Sequence, residues 1–258
     1  MDTGLDVKKR LNELADKAYR ENRYVFTDFL NISQLSAYHE MKKDFIQTGS
    51  SLFGGCPECE RCVVRFGFEE VLGYDQPFPI AVLRIAPVNP KYAEKLTHRD
   101  YLGSVIGLGL EREKIGDIII KNSDDPKKGQ IAYIFVIDSI ADYIIENLSY
   151  VKHTHVSVIL SNSIPEEARP HLEEESIIVS SNRLDAIISR IYKLSRDSAL
   201  KHITEGKVFV NGITRTENAK PLKDGDVVSV RGMGKFIMTG VGGTTKKDKI
   251  YINIQKYI

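Results

Sequence analysis

The chain has 258 residues, of which 42% are hydrophobic and 28% are charged. This composition is typical of a folded globular protein and excludes disordered and fibrous chains. The longest apolar run, at 131–137, is far shorter than the roughly 20 residues of a membrane-spanning helix. The amino terminus is acidic where a signal peptide would be basic. We therefore expect a cytoplasmic protein with no membrane partner.

Charge is distributed unevenly along the chain. Residues 182–258 contain 15 Lys and Arg against 7 Asp and Glu, a net charge of +8, whereas residues 1–181 carry a net charge of −7. Because phosphate contacts require clustered cations, this distribution predicts a nucleic-acid-binding module joined to an acidic body. The alternative interpretation is a solvated basic face.

Residues 1–75 are predicted to form a mainly helical domain. Apolar side chains recur at helical spacing in the first segment, and Ser33 can cap a second helix. The periodic positions are Val7, Leu11, Leu14 and Ala18. The core of this domain is expected to contain Phe26, Phe29, Phe45 and Phe53.

Residues 76–163 alternate strand and helix signals in the order βαββαβ, which predicts a ferredoxin-like plait. The same fold underlies the RNA recognition motif, whose strands display aromatic side chains for base stacking. Tyr133 and Phe135 share one face of the predicted third strand. Two interpretations remain open, because these rings either stack on bases or pack beneath another domain. The predicted strands are 80–88, 117–121, 131–137 and 151–160, and the predicted helices are 98–108 and 138–148.

Residues 164–179 combine two prolines with five glutamates and are predicted to be an acidic linker with a possible short strand. Residues 180–258 then form the predicted carboxyl-terminal domain. The predicted fold class is therefore α+β, with a helical domain, an RRM-like plait and a basic carboxyl-terminal domain.

The carboxyl-terminal domain shows signals for two short helices followed by a β-hairpin. One apolar stripe marks the first helix, and Ser195 can cap the second, which is expected to end before Gly206. Asn211 and Gly212 are a strong hairpin signal. The stripe of the first helix consists of Leu184, Ile187, Ile188, Ile191 and Leu194.

These motifs closely resemble the RNA-binding domain named after ribosomal protein S4. The resemblance preserves the order and spacing of the motifs, and Asp197 is one departure from the pattern. The matching motifs are Arg183-Leu184-Asp185, Ser195-Arg196-Asp197-Ser198-Ala199, Ile203-x-x-Gly206-x-Val208-x-Val210-Asn211-Gly212 and Gly225-Asp226-x-Val228.

Two arginines are the leading candidates for RNA contact. Arg183 and Arg196 lie in the first turns of the two predicted helices, where free N–H groups and the helix dipole favour phosphate. The alternative for Arg183 is an ion pair with Asp185 or Asp226. The predicted RNA-binding residues are Arg183, Ser195, Arg196, Lys201, Lys207, Asn211 and Lys235, and Lys246, Lys247 and Lys249 are expected to extend the surface.

The rest of the chain resembles the YlmH family of bacterial RNA-binding proteins. The resemblance implies a non-catalytic factor whose partners are ribosomal RNA, tRNA and the large ribosomal subunit carrying peptidyl-tRNA, with a role in the rescue of stalled translation. We expect it to be a monomer. The matching motifs are Phe53-Gly54-Gly55, Glu60-Arg61 and RDYLGSVIGLGLEREKIGD at 99–117.

The sequence predicts neither a metal site nor a catalytic site. Cys56, Cys59 and Cys62 offer three thiols, but a zinc or iron–sulfur site normally needs a fourth ligand, which His39 could supply only if the fold brings it near. No cofactor or small-molecule substrate is expected. His153 and His155 alternate on one strand face and are expected to be exposed edge residues rather than ligands. The functional alternative is an RNA-modifying enzyme with its active site in the plait and the S4-like domain as a targeting module.

Overall fold

A computed structural model describes residues 4–121, 129–169, 171–218, 220–245 and 248–257. Predictions that concern Pro170, Lys246 and Lys247 lie outside these residues. The chain divides into two compact units, which are described separately. Unit 1 comprises Met1–Asn31 and Met41–Arg169, and unit 2 comprises Ile32–Glu40 and Pro170–Ile258.

The described residues form helices and antiparallel strands, as the α+β prediction requires. The helices are α1 (Gly4–Glu21), α2 (Ile32–Met41), α3 (Glu69–Leu72), α4 (His98–Ile106), α5 (Ala141–Asn147), α6 (Leu184–Ile191) and α7 (Arg196–Thr204). The strands are β1 (Val25–Phe26), β2 (Ser50–Phe53), β3 (Val63–Phe66), β4 (Ile80–Pro87), β5 (Ile115–Lys121), β6 (Ile131–Ile137), β7 (Tyr150–Val151), β8 (Thr154–Ser161), β9 (Leu172–Val179), β10 (Val208–Val210), β11 (Ile213–Arg215), β12 (Val227–Val230), β13 (Gly234–Thr244) and β14 (Ile250–Tyr257).

The first part of unit 1 contains α1 and a small sheet that the sequence did not predict. The buried face of α1 is formed by Val7, Leu11, Ala15 and Ala18, so Ala15 takes the core position that the prediction gave to Leu14. Strands β1, β3 and β2 form an antiparallel sheet in that order. These strands have two to four residues and pair across long sequence separations, which leaves too little periodicity to recognise them in the sequence.

The second part of unit 1 is the predicted plait. Its strands follow the order β5-β6-β4-β8-β7, and all neighbours are antiparallel. Helices α4 and α5 bury one face of this sheet around Leu83, Ile85 and Val158. A short 3-10 turn at Asp138–Ile140 precedes α5, so the helix begins later than predicted.

Part of the other sheet face is covered by the amino-terminal residues of unit 1. Tyr133 and Phe135 are buried in a cluster with Phe29, Cys56 and Val63. A side chain at Gly55, whose φ is +105°, would lie 2.1 Å from the ring of Phe135. The two aromatic residues therefore pack against protein, and this corrects the base-stacking interpretation.

Unit 2 is built on a six-stranded sheet with the order β11-β10-β12-β13-β14-β9. The predicted acidic linker contains β9, a full edge strand that pairs with β14 over its whole length. This strand was not fully predicted because its glutamates are typical of an exposed linker. In the structure Glu173 lies opposite Lys256, and the side chains of Ile177 and Val179 are buried in the core. The possible short strand of the prediction is thus an eight-residue strand.

The core of unit 2 lies between this sheet and the helices α6 and α7. Asn211 and Gly212, with φ values of 52° and 76°, form the tight turn between β10 and β11. Helix α2 also belongs to this unit, because the Oγ of Ser36 accepts a hydrogen bond from the backbone N–H of Thr214 at 2.9 Å.

Within the described ranges, no helix has the length and apolar character needed to cross a lipid bilayer.

Candidate nucleic-acid interface

The candidate interface lies on the helical layer of unit 2, where α6 ends close to the start of α7. Helix α6 turns Leu184, Ile187 and Ile188 into the core, and most of its other residues are buried as well. Only Ser189 and Arg190 of this helix are open to solvent. Ser195 is the N-cap of α7, and its Oγ accepts a hydrogen bond from the backbone N–H of Ser198 at 3.1 Å. Ser195 therefore has a structural role that explains its presence in the motif.

Asp185 holds both predicted arginines together. Its carboxylate accepts a hydrogen bond from the Nε of Arg183 at 3.2 Å and from the Nε of Arg196 at 2.7 Å. The side chain of Asp185 is only 5% exposed, whereas those of Arg183 and Arg196 are 55% and 44% exposed. The ion pair weighed for Arg183 thus exists, and each guanidinium still has donors directed to solvent.

The pKa of Asp185 reflects this arrangement. Burial acts to raise it, but the hydrogen bonding of Asn218, Arg196 and Arg183 outweighs burial, and the pKa of the carboxyl lies below its ordinary value. The carboxylate is therefore charged at neutral pH and orients both arginines.

Four cations line one open groove next to this cluster, a groove of about 450 Å³. They are Arg190, Lys193, Arg196 and Lys249, and we call this site the basic groove. Among the described residues, no carboxylate pairs with Arg190 or Lys193, and both side chains are exposed. The groove therefore presents unneutralised positive charge at the start of α7.

Arg190 and Lys193 were not among the RNA-binding residues predicted from the sequence. A usable signal was present, because Arg190 follows Arg183 by seven residues and so lies on the same side of the helix. Lys193 occupies the turn between the helices with a left-handed φ of 53°, which depends on the packing of both helices and could not be predicted.

The other predicted RNA-binding residues are dispersed and have protein partners. Lys207 pairs with Glu205 at 2.6 Å, and Lys201 approaches the same carboxylate at 3.8 Å. The hydrogen bond from Lys207 is the main reason why the pKa of Glu205 is lowered. Lys235 lies over the ring of Tyr257, at 4.6 Å from its centroid.

Asn211 stabilises the hairpin turn. Its Nδ2 donates to Asp226 at 2.8 Å, and its Oδ1 accepts from the backbone N–H of Val227 at 2.9 Å. Asn211 also lines a second cavity of about 270 Å³ whose rim carries Arg215, Lys220 and Lys223. Its role in the turn accounts for its place in the motif, and the three cations extend the basic character of unit 2.

Comparisons with known proteins match two segments of the chain to RNA-binding domains. Residues 75–163 match the family model of the RNA-binding domain in YlmH, and residues 182–228 match that of the S4 domain. A relative from Bacillus subtilis (strain 168), "Ribosome-associated protein quality control protein P2", is 30% identical over 175 residues. That match covers 65% of this chain and 64% of the relative, so the chain spans just under two thirds of the relative's length. The two matches and this relative support a YlmH-family protein with a carboxyl-terminal S4 domain.

A solved structure is also similar to the chain. The "Cell division protein ylmH from Streptococcus pneumoniae" is 24% identical, with a TM-score of 0.45, and the match covers 60% of this chain and 88% of that one. The S4 match covers α6, α7, β10, β11 and the first two residues of β12, and the arginine cluster lies within it. The strands β13, β14 and β9 extend the sheet beyond the matched segment.

The YlmH motif residues Arg61 and Asp117 connect the two parts of unit 1. The guanidinium of Arg61 donates to the carbonyl oxygens of Ile115 at 3.0 Å and Phe29 at 2.9 Å. Asp117 accepts hydrogen bonds from the backbone N–H groups of Glu60 and Arg61. Burial raises the pKa of Asp117 despite these hydrogen bonds. These motif residues therefore have structural partners in unit 1.

The three cysteines lie in the same region of the chain. Cys56 and Cys59 place their sulfur atoms 2.9 Å apart, and the hydrogen bond between them is the main cause that lowers the pKa of Cys56 and raises that of Cys59. In the described part of the chain, no group of three or more Cys, His, Asp or Glu side chains has an arrangement that suits a metal ion. His39 belongs to the other compact unit.

Proposed function

We propose that this chain is a non-catalytic factor that binds structured RNA on ribosomal particles in the cytoplasm. The proposed partners are ribosomal RNA, tRNA and the large ribosomal subunit. The proposed role is the rescue of stalled translation on large subunits that carry peptidyl-tRNA.

The observation that carries the proposal is the basic groove beside the Asp185 cluster. Arg190, Lys193 and Lys249 add cations to the two arginines that were predicted from the sequence. Several cations along one groove suit a folded RNA, in which phosphates from different parts of the strand lie close together. Asp185 supports this function because it orders Arg183 and Arg196 before any RNA arrives.

The relative from B. subtilis supports the ribosomal part of the proposal, because its name describes it as a ribosome-associated quality control protein. The large subunit, peptidyl-tRNA and rescue of stalled translation follow from the family resemblance. They are the parts of the proposal that the experiment must test.

Sedimentation through sucrose gradients at increasing salt tests the proposal. We expect the protein in the large-subunit or whole-ribosome fractions at low salt and at the top of the gradient at high salt, because RNA binding releases counterions. Arg190→Ala with Lys193→Ala should weaken association and flatten the slope of log K against log salt by about 1.4 to 1.8, if each cation neutralises one phosphate.

The matched control is Lys42→Ala with Lys43→Ala, which removes two exposed cations from unit 1. This control should sediment like the unaltered protein. Recovery of the unaltered protein only at the top of a low-salt gradient would contradict the ribosomal part of the proposal. A modified nucleoside in ribosomal RNA or tRNA that depends on this protein, detected by mass spectrometry, would contradict the non-catalytic part.

A further inference from the structure

The plait sheet has a covered half and an open half on the face opposite its helices. Around β5 and β6 this face is buried beneath Phe29, Cys56 and Val63. Along β8 the burial alternates, so that Val156 and Val158 face the helices while the opposite face is solvent-exposed. The exposed side chains of β8 on that face are His155, Ser157 and Ile159. On β4, Ile80 and Val82 pack against the covered cluster, so we call the outward surface of β7, β8 and the Arg84 end of β4 the open half.

A stacked aromatic pair lies at the edge of the open half. Tyr150 on β7 and His155 on β8 are cross-strand partners, with ring centroids 4.9 Å apart and an angle of 24° between the rings. Tyr150 is 57% exposed. Neighbouring strands therefore hold two ring planes nearly parallel, with ring surface available to a third planar group.

The nearest cation in the chain, Lys152 in the β7–β8 turn, pairs with Asp100 of α4 at 3.0 Å and so reaches toward the helices. Arg84 on β4 lies in register with Ile159 on β8, which places it on the open half. The backbone N–H of Val88 donates to the carbonyl of His155 at 2.9 Å, which continues the pairing of β4 with β8 to the level of the stacked pair.

We propose that the open half binds unpaired RNA, with a base stacked on the Tyr150–His155 pair and a phosphate farther along the RNA strand near Arg84. Exposed aromatic rings among cations are the combination that binds single-stranded nucleic acid, because every base has a π-face and every linkage has a charge. The surface lies within the segment matched to the YlmH RNA-binding domain. The inference rests on the proposed RNA-binding function and extends it from unit 2 to a second surface.

This surface differs from the one that the RNA recognition motif suggested. Tyr133 and Phe135 are the aromatic residues at the centre of the plait sheet, and both are covered. The proposed stacking position is instead at the β7 edge of the same sheet. Strand β7 is not part of the βαββαβ pattern, and it contributes Tyr150.

The chain contains no tryptophan, which makes a direct test possible. Tyr150→Trp introduces a single indole at the proposed stacking position, and stacking on a base quenches indole fluorescence. We expect a 12-nucleotide oligouridine to quench this tryptophan saturably in the full-length protein, with the affinity falling as salt rises. The matched control is Tyr19→Trp, on an exposed position of α1, which should not be quenched.

A second variant measures the contribution of the stacked pair. His155→Ala in the Tyr150→Trp background should weaken oligouridine binding about fivefold, which corresponds to about 1 kcal/mol. The reason is that the base loses one of the two aligned rings that hold it in place. Circular dichroism checks that the plait is still folded.

The outcomes separate this inference from the proposed function. An unquenched indole in the Tyr150→Trp protein, or equal quenching in the Tyr19→Trp and Tyr150→Trp proteins, overturns the open half as an RNA surface. If the protein still sediments with ribosomes in a manner that depends on Arg190 and Lys193, the proposed function stands without it. Quenching of the indole by ribosomal proteins but not by oligouridine would also overturn the open half as an RNA surface. That result would indicate a protein partner for this surface.

Discussion

Asp185 pairs with both arginines of the proposed RNA interface. The sequence placed Arg183 two residues from an acid, so a local ion pair was foreseeable. The contact between Arg196 and the same carboxylate joins two helices. It depends on the geometry of the turn at Lys193, which could not be predicted from residue spacing. Removing either arginine would leave a carboxylate that is 5% exposed without one of its partners. Arginine variants therefore mix folding effects with RNA effects.

We expect Asp185→Asn to separate these two effects. At pH 7 the free energy of unfolding should fall by about 1.5 to 3 kcal/mol, the range for a hydrogen bond to a charged group. RNA affinity should hold or rise, because the variant removes one negative charge from the interface while both arginines remain.

The pH dependence has a defined sign. Because the pKa of Asp185 is lowered in the folded protein, its stabilisation is complete above the unfolded value of about 3.9 and is lost as pH falls through the folded value. Urea unfolding of both proteins between pH 7 and pH 2 should therefore show the difference shrinking in acid. A constant difference across this range would mean that the carboxylate charge contributes nothing.

Helices and strands with strong local signals were predictable from the sequence. The βαββαβ order, the cap of α7 and the Asn-Gly turn follow from periodicity and turn chemistry. The strands β1, β2 and β3 were missed because they are short, and β9 because its glutamates suggested an exposed linker. In each case the strand is specified by a partner far away in the sequence, such as β14 for β9.

The N-cap of α7 gives a prediction at this scale. Ser195 was expected to contact RNA, but its hydroxyl accepts a hydrogen bond from Ser198 within the helix. Ser195→Ala should lower the free energy of unfolding by about 1 kcal/mol, and Ser195→Thr should largely preserve it, because threonine also caps helices. The salt slope of RNA binding should be the same in all three proteins. Weaker RNA binding by Ser195→Ala at unchanged stability would show that the hydroxyl contacts RNA directly.

At the scale of the whole molecule, the sequence predicted three domains and the structure has two compact units. The amino-terminal residues and the plait share the cluster around Tyr133 and Phe135, so they belong to one unit. Unit 2 begins earlier than the predicted boundary at residue 180 and also includes α2. The charge asymmetry was informative about function but could not locate these boundaries, because buried apolar contacts determine them.

The boundary can be tested with two fragments, 170–258 and 180–258. The shorter fragment lacks β9, which contributes eight register pairs with β14 and the buried side chains of Ile177 and Val179. Losing two buried aliphatic side chains costs about 3 to 6 kcal/mol at about 1.5 to 3 kcal/mol each. That loss is comparable to the whole stability of a small domain, at about 0.05 to 0.15 kcal/mol per residue. We therefore expect 170–258 to show a cooperative urea transition and 180–258 to lack one or to unfold at a much lower midpoint.

The longer fragment should itself be less stable than the full chain. It lacks α2, and this leaves the backbone N–H of Thr214 without the Ser36 hydroxyl that accepts its hydrogen bond. The full chain, unfolded under the same conditions, therefore provides the upper reference for both fragments. Equal midpoints for the two fragments would place the boundary at residue 180 and would mean that β9 contributes little to unit 2.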